Sequence, residues 1–117
     1  IPASQQAFAS CVSNRESHGN PRAKSSLSSS AGKWQFLQSQ WGQSLPWMIS
    51  ARLRDFGMPG AEARRIRIYL QRTPIHHWSE QLQDVGFIAV LNARGPWSGW
   101  RHWYLSGSRC NAIAGAR

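Results

Sequence analysis

Residues 11–41 read CVSNRESHGNPRAKSSLSSSAGKWQFLQSQW, and the order of signals in this stretch sets the architecture. Just upstream and into it, Ala7, Phe8, Cys11 and Val12 recur at i, i+1, i+4 and i+5. That is the apolar stripe of a helix which Ser4 can cap and which runs to about Asn14, with Cys11 on its buried face. Glu16 falls at or just past the end of this helix, where the macrodipole disfavours a carboxylate anion and so favours the protonated acid. Arg15 beside it pulls the other way. The run His18-Gly19-Asn20-Pro21 is a turn. Residues 25–30, five Ser in six positions, are too polar for a core and read as a linker or as the lining of a cleft. Gly32-Lys33-Trp34-Gln35-Phe36 alternates as a small strand or extended edge does, and a helix over 38–44 follows.

Working outward, Pro46 suits the first residue of another helix, carrying Trp47, Ala51, Leu53 and Phe56 and ending at Gly57. Residues 61–71 place Ile66, Tyr69 and Leu70 in an apolar stripe, while Arg64, Arg65, Arg67 and Arg72 make the strongest basic patch in the chain. Ser79 can cap a helix that starts at Glu80 and runs to Arg94. Its second half has so little polar face that it should cross the centre of the domain. Gly95-Pro96 stops it, and an aromatic tail over 97–104 leads on to Cys110. Without repeats or a long linker, the expectation is one α+β domain over residues 1–117, predominantly helical with at most a small β element.

The 117 residues suffice for one core and one site. No stretch is long enough to cross a bilayer; the longest apolar run, 85–91, fits a buried helix. Fourteen Lys and Arg against five Asp and Glu give a net charge of +9, spread along the chain. Such a surface draws anionic partners, and charge alone admits nucleic acid, anionic lipid or bacterial cell wall. Cys11 and Cys110 belong to no zinc-type cluster. A disulfide closing about 100 residues is the economical reading and points to an oxidising, extracytoplasmic setting, with two buried thiols as the plainer alternative. The sequence opens IPASQQ, without the basic and apolar regions of a signal peptide, as expected of a mature or trimmed form if the protein is secreted.

Glycoside cleavage needs a carboxylic acid that is protonated near neutral pH, and Glu16, at a helix end and followed by an aromatic segment, has those attributes. Taken alone it also reads as a surface or ion-paired Glu. The other acids, Asp55, Glu62, Glu80 and Asp84, all fall in expected helices, where solvated faces, caps or pairing with Arg explain them. One carboxyl acting first as acid and then as base, with attack by the sugar's own hydroxyl, suits that distribution better than a two-carboxylate hydrolysis. His18, His76, His77 and His102 show no metal-ligand spacing, and no serine stands in a nucleophile motif, so neither a metal nor another cofactor is expected. Among the tryptophans, Trp34, Trp41, Trp97, Trp100 and Trp103 could offer flat faces to sugar rings; Trp41 and Trp47, at helical positions, are the candidates for core instead.

Together these residues resemble the lysozyme-like muralytic domains of actinobacterial resuscitation-promoting factors and of soluble lytic transglycosylases. The resemblance rests on Glu16-Ser17, Gly19-Asn20-Pro21, the polar loop, Gly32-Lys33-Trp34-Gln35-Phe36 and Gln38-Ser39-Gln40-Trp41, in the order those families keep. Leu91-Asn92-Ala93 with Gly95 is a weaker likeness to the transglycosylase Ala-Tyr-Asn-Ala-Gly motif. His18 stands where the families usually carry Gly, and Cys11 lies five residues before the Glu; variants from actinobacteria and their phages look closer. The resemblance implies a lysozyme-like fold, an extracellular or cell-wall setting, and cleavage of the β-1,4 bond between N-acetylmuramic acid and N-acetylglucosamine by a monomer. It implies Glu16 as the acid, with Gln35, Trp34, Asn92, Ser30, Trp97 and Trp100 binding the glycan, and it supports the Cys11–Cys110 bridge. Peptidoglycan strands would be the partner, with anionic wall polymers drawn by charge. The competing readings are a non-catalytic glycan-binding module on the same fold and, ranked below it, a nucleic-acid-binding domain using Arg64, Arg65, Arg67 and Arg72.

Overall fold

A computed structural model describes residue 1, residues 3–93 and residue 110. Among them the chain is mostly helical with one small sheet, an α+β fold dominated by α. A single 3-10 turn over Ala3–Gln5 leads into α1, Gln6–Ser17. The N-cap of α1 is Gln5, without a side-chain cap bond, so the expected cap at Ser4 is corrected. The helix also runs three residues beyond Asn14, because its stripe does not end there. Phe8, Ala9, Val12 and Ser13 are buried, and the next position on that face is Glu16.

A left-handed His18 (φ 55°) and Gly19 (φ 75°) end α1. The chain then turns through Asn20, whose Oδ1 accepts from the Arg22 N–H at 3.0 Å, the local side-chain-to-backbone bond that makes Asn a turn residue. A two-stranded antiparallel hairpin follows, β1 (Ser30–Ala31) and β2 (Phe36–Leu37), with Ser30 opposite Leu37 and Ala31 opposite Phe36. Residues 32–35, expected as a small strand or extended edge, form the turn between the strands, with Gly32 at φ 84° and Gln35 at φ 52°.

Two further helices, α2 (Gln38–Trp41) and α3 (Leu45–Asp55), occupy the region after the hairpin. Pro46 sits in the first turn of α3 as its sequence suggests, but the helical phase differs from the expected one. Leu45, Pro46, Ile49 and Ser50 are buried, whereas Trp47 is 58% exposed and Phe56, just past the helix, 77%. Trp47 is therefore not a core residue. Helices α4 (Gly60–Gln71) and α5 (Glu80–Leu91) complete the set. Packing of α3 on α5 fixes the phase: an added Cβ at Gly86 would lie 3.2 Å from Leu45 Cδ2 and 3.4 Å from Ile49 Cδ1. The bare glycine lets those two side chains seat against the helix backbone. On α4 the buried residues are Ala63 and Leu70; Tyr69, expected in the stripe, is 57% exposed.

The Leu82 N–H donates to Ser79 Oγ at 3.2 Å, the expected cap of α5. This helix is buried along Gly86–Leu91 and forms the central member of the core, against Phe8, Val12, Phe36, Leu45 and Ile49. It ends at Leu91, three residues before the expected Arg94. Between α4 and α5, Trp78 is buried and its Nε1–H reaches the carbonyls of Leu70 and Thr73, closing the end of α4. Cys11 and a fully buried Cys110 form a disulfide with Cα atoms 5.8 Å apart. Among the described residues no helix is long and apolar enough to cross a membrane.

Candidate active site

Glu16 reaches its position because the buried stripe of α1 ends on it. The carboxyl-bearing residue is half-buried in the last helical turn. Its neighbour Ser17 ties that turn to the hairpin: Ser17 Oγ donates to the Lys33 carbonyl at 2.6 Å. Glu16 is thus one residue from this bond, and Gln35 two residues from it on the other side. Gln35 holds a left-handed backbone that an L-residue adopts only when its surroundings impose it, a kind of strain that collects at functional sites. Its Nε2 donates to the Gly32 carbonyl at 2.9 Å, leaving Oε1 as the acceptor available to a ligand.

A second layer holds the hairpin turn from behind. Gln83, 1% exposed on the buried face of α5, accepts from the Lys33 N–H at 2.8 Å through Oε1. Its Nε2 donates to the carbonyls of Pro21 at 2.9 Å and Trp78 at 3.0 Å. One side chain therefore clasps the loop after Glu16, the hairpin turn and the start of α5. Lys33 Nζ lies 2.9 Å from Glu80 Oε2 and 3.2 Å from Asp84 Oδ1. Burial pulls the Lys33 ammonium down, but the hydrogen bond to Glu80 and the charge of Asp84 outweigh it, so its pKa stands above the ordinary 10.5.

Trp34 is corrected by this geometry. It is 1% exposed, stacks on Phe87 with centroids 3.8 Å apart, and donates its Nε1–H to Asp84 Oδ1 at 3.0 Å. Its face is spent on the core, and no sugar ring can stack there. Ser30 lies half-buried in β1, its hydroxyl bonded to that of Ser28 at 3.0 Å. Asn92 is the exposed residue after α5, with its amide donating to the Ile88 carbonyl at 3.0 Å, a helix-end role. Trp97 and Trp100 lie outside the described residues. Two of the remaining acids, Glu80 and Asp84, are held by Lys33, while Asp55 and Glu62 are exposed at the end of α3 and the start of α4. Among the described residues no three His, Cys, Asp or Glu side chains gather as a metal site requires.

The basic patch on α4 is divided. Arg64, Arg65 and Arg72 are exposed, whereas the Arg67 guanidinium lies over the Trp47 ring at 3.7 Å and donates to Gln71 Oε1 at 3.1 Å. Gln83 is the residue that sequence reasoning missed, and Asp84, expected on a solvated face, at a cap or paired with Arg, is held instead by Lys33 and the Trp34 indole. The signal for Gln83 was a lone amide four residues before Phe87 on the most apolar face of the chain.

Comparison with protein-family models, with characterised proteins and with solved structures finds no match for this chain.

Proposed function

We propose that this chain is a lysozyme-like peptidoglycan-cleaving domain that acts on the β-1,4 bond between N-acetylmuramic acid and N-acetylglucosamine, with Glu16 as its acid. The observation that supports it is the end of α1. There a half-buried glutamate closes an apolar stripe, its neighbour Ser17 is bonded to a hairpin turn at 2.6 Å, and that turn carries the strained Gln35. In this reading Glu16 gives its proton to the glycosidic oxygen as the C–O bond breaks. It then takes a proton from the attacking hydroxyl, which belongs to water in a hydrolase or to the sugar itself in a transglycosylase. Gln35 orients the glycan through its free amide oxygen.

The +9 charge favours attachment to a wall bearing carboxylates and phosphates, and the disulfide suits an extracellular or cell-wall location, reached by secretion or by phage delivery. The test is digestion of purified peptidoglycan by the natural chain and by Glu16→Gln, with the fragments weighed. Release is expected to fall at least about 100-fold in the variant, as for loss of a general acid. Equal release by both would refute the assignment. Anhydro-ended sugars would identify a transglycosylase, and reducing ends carrying water a hydrolase.

A further inference from the structure

A groove of about 470 Å³ runs between the hairpin and the connection from α4 to α5. Lys24, Ser29 and Gln38 line one side; Arg72, Thr73 and His76 line the other. Among the described residues that line it there is no Asp or Glu. Lys24 and Arg72 are exposed, and among the described residues the ion pairs are those of Lys33, so nothing there neutralises either cation. A groove walled by two uncompensated positive charges focuses a field that favours an anion.

His76 adds direction. Its Nδ1 is sealed from solvent and has no hydrogen-bond partner. Burial, reinforced by the nearby charges of His77, Lys24 and Arg22, holds the imidazole below its ordinary value of 6.5. Near neutral pH the ring is therefore uncharged. A proton on Nδ1 would be a buried donor without an acceptor, so the neutral ring carries its hydrogen on Nε2, the nitrogen left to a ligand.

We propose that this groove binds a phosphate group, with Lys24 and Arg72 supplying charge and His76 Nε2–H a hydrogen bond. A carboxylate carries one charge on two oxygens. Phosphate carries up to two charges and enough oxygens to meet an ammonium, a guanidinium and an imidazole together. The groove is also several times larger than one phosphate, which leaves room for whatever bears the group. Inorganic phosphate meets the three groups from one centre, whereas a phosphodiester polymer, with one charge and two free oxygens per group, meets them with successive groups along the groove. Glu16 plays no part in it, so binding here stands or falls separately from glycan cleavage.

The test is imidazole NMR of the intact, disulfide-bonded chain labelled at histidine, with His76 assigned from His76→Gln. Inorganic phosphate is titrated in one arm and a short poly(glycerol phosphate) in the other, at ionic strength held constant with chloride. The His76 signals are expected to move saturably, and the apparent pKa of the ring to rise, since a bound anion stabilises the imidazolium. Lys24→Gln and Arg72→Gln should each weaken binding about tenfold, and Arg64→Gln, outside the groove, should not. Saturation by phosphate alone or by the polymer alone identifies the source. Shifts that stay linear in both arms and are shared by all histidines, or undiminished affinity in both groove variants, would overturn the proposal.

Discussion

Replacing Gln83 by leucine tests the clasp behind the hairpin most directly. The substitution preserves size roughly and removes three hydrogen bonds, to the Lys33 N–H and to the Pro21 and Trp78 carbonyls. Only the bond to Trp78 is fully buried; the other two are partly open to water. A buried orphan carbonyl costs about 1–3 kcal/mol, and the two partly buried groups about 0.5–1 kcal/mol each, since water can recover part of their bonding. Leucine returns roughly 1 kcal/mol by being apolar in a site that is 1% exposed. The net destabilisation is about 1–4 kcal/mol. With a urea m-value of about 1.5 kcal/mol/M for a chain of this size, the unfolding midpoint should fall by about 0.7–2.7 M at unchanged m. Amide exchange supplies a local readout, in which the Lys33 N–H should lose more protection than Ile49 in α3. A midpoint shift under about 0.3 M, or equal loss of protection at both amides, would refute the clasp.

Three other outcomes follow from the same structure. Gly32→Ala should destabilise by at least about 2 kcal/mol, read by chemical denaturation, because φ is 84° and the new Cβ would lie 2.5 Å from Gln83 Oε1 and 3.2 Å from Ile75 Cγ2. Reducing the Cys11–Cys110 bridge, which spans 99 residues, should remove about 4–5 kcal/mol on the chain-entropy account, seen as a lower urea midpoint in reductant. Because the folded pKa of Lys33 is raised, its stabilisation is complete below 10.5 and is lost as pH rises through the higher folded value. Melting temperatures between about pH 9 and 12 should therefore fall less steeply in Lys33→Met than in the natural chain.

Local chemistry made much of this fold legible. The Ser79 cap, the apolar run of α5, the turn after α1 and the pairing of the two cysteines depend on short-range pattern or on simple counting, and the structure carries all four. Helical phase was harder to read. On α3 the sets 47/51 and 45/49 both recur at helical spacing, and what selects the second is Gly86 on a helix some forty positions away. Trp34 misled for a related reason: an aromatic residue in a short alternating segment fits a cleft edge as well as a core. Its burial depends on Phe87 and Asp84, which no local signal connects to it. At the candidate site, Glu16 stood out because acids are so sparse, and Gln35 through its place in the motif, but the Ser17–Lys33 bond that brings their segments together is a tertiary fact.

The bridge between Cys11 and Cys110 also changes what a protease can do to this molecule. The loop after the Gly-Asn-Pro turn presents Leu27 at 96% exposure, a ready point of attack. A cut there falls between the two cysteines, so it opens the chain without dividing it. The nicked molecule keeps α1 and its Glu16 covalently joined to the rest. On a gel it would run whole until reductant released two pieces, and a single cleavage in a protease-rich surrounding would leave every element of the site still attached.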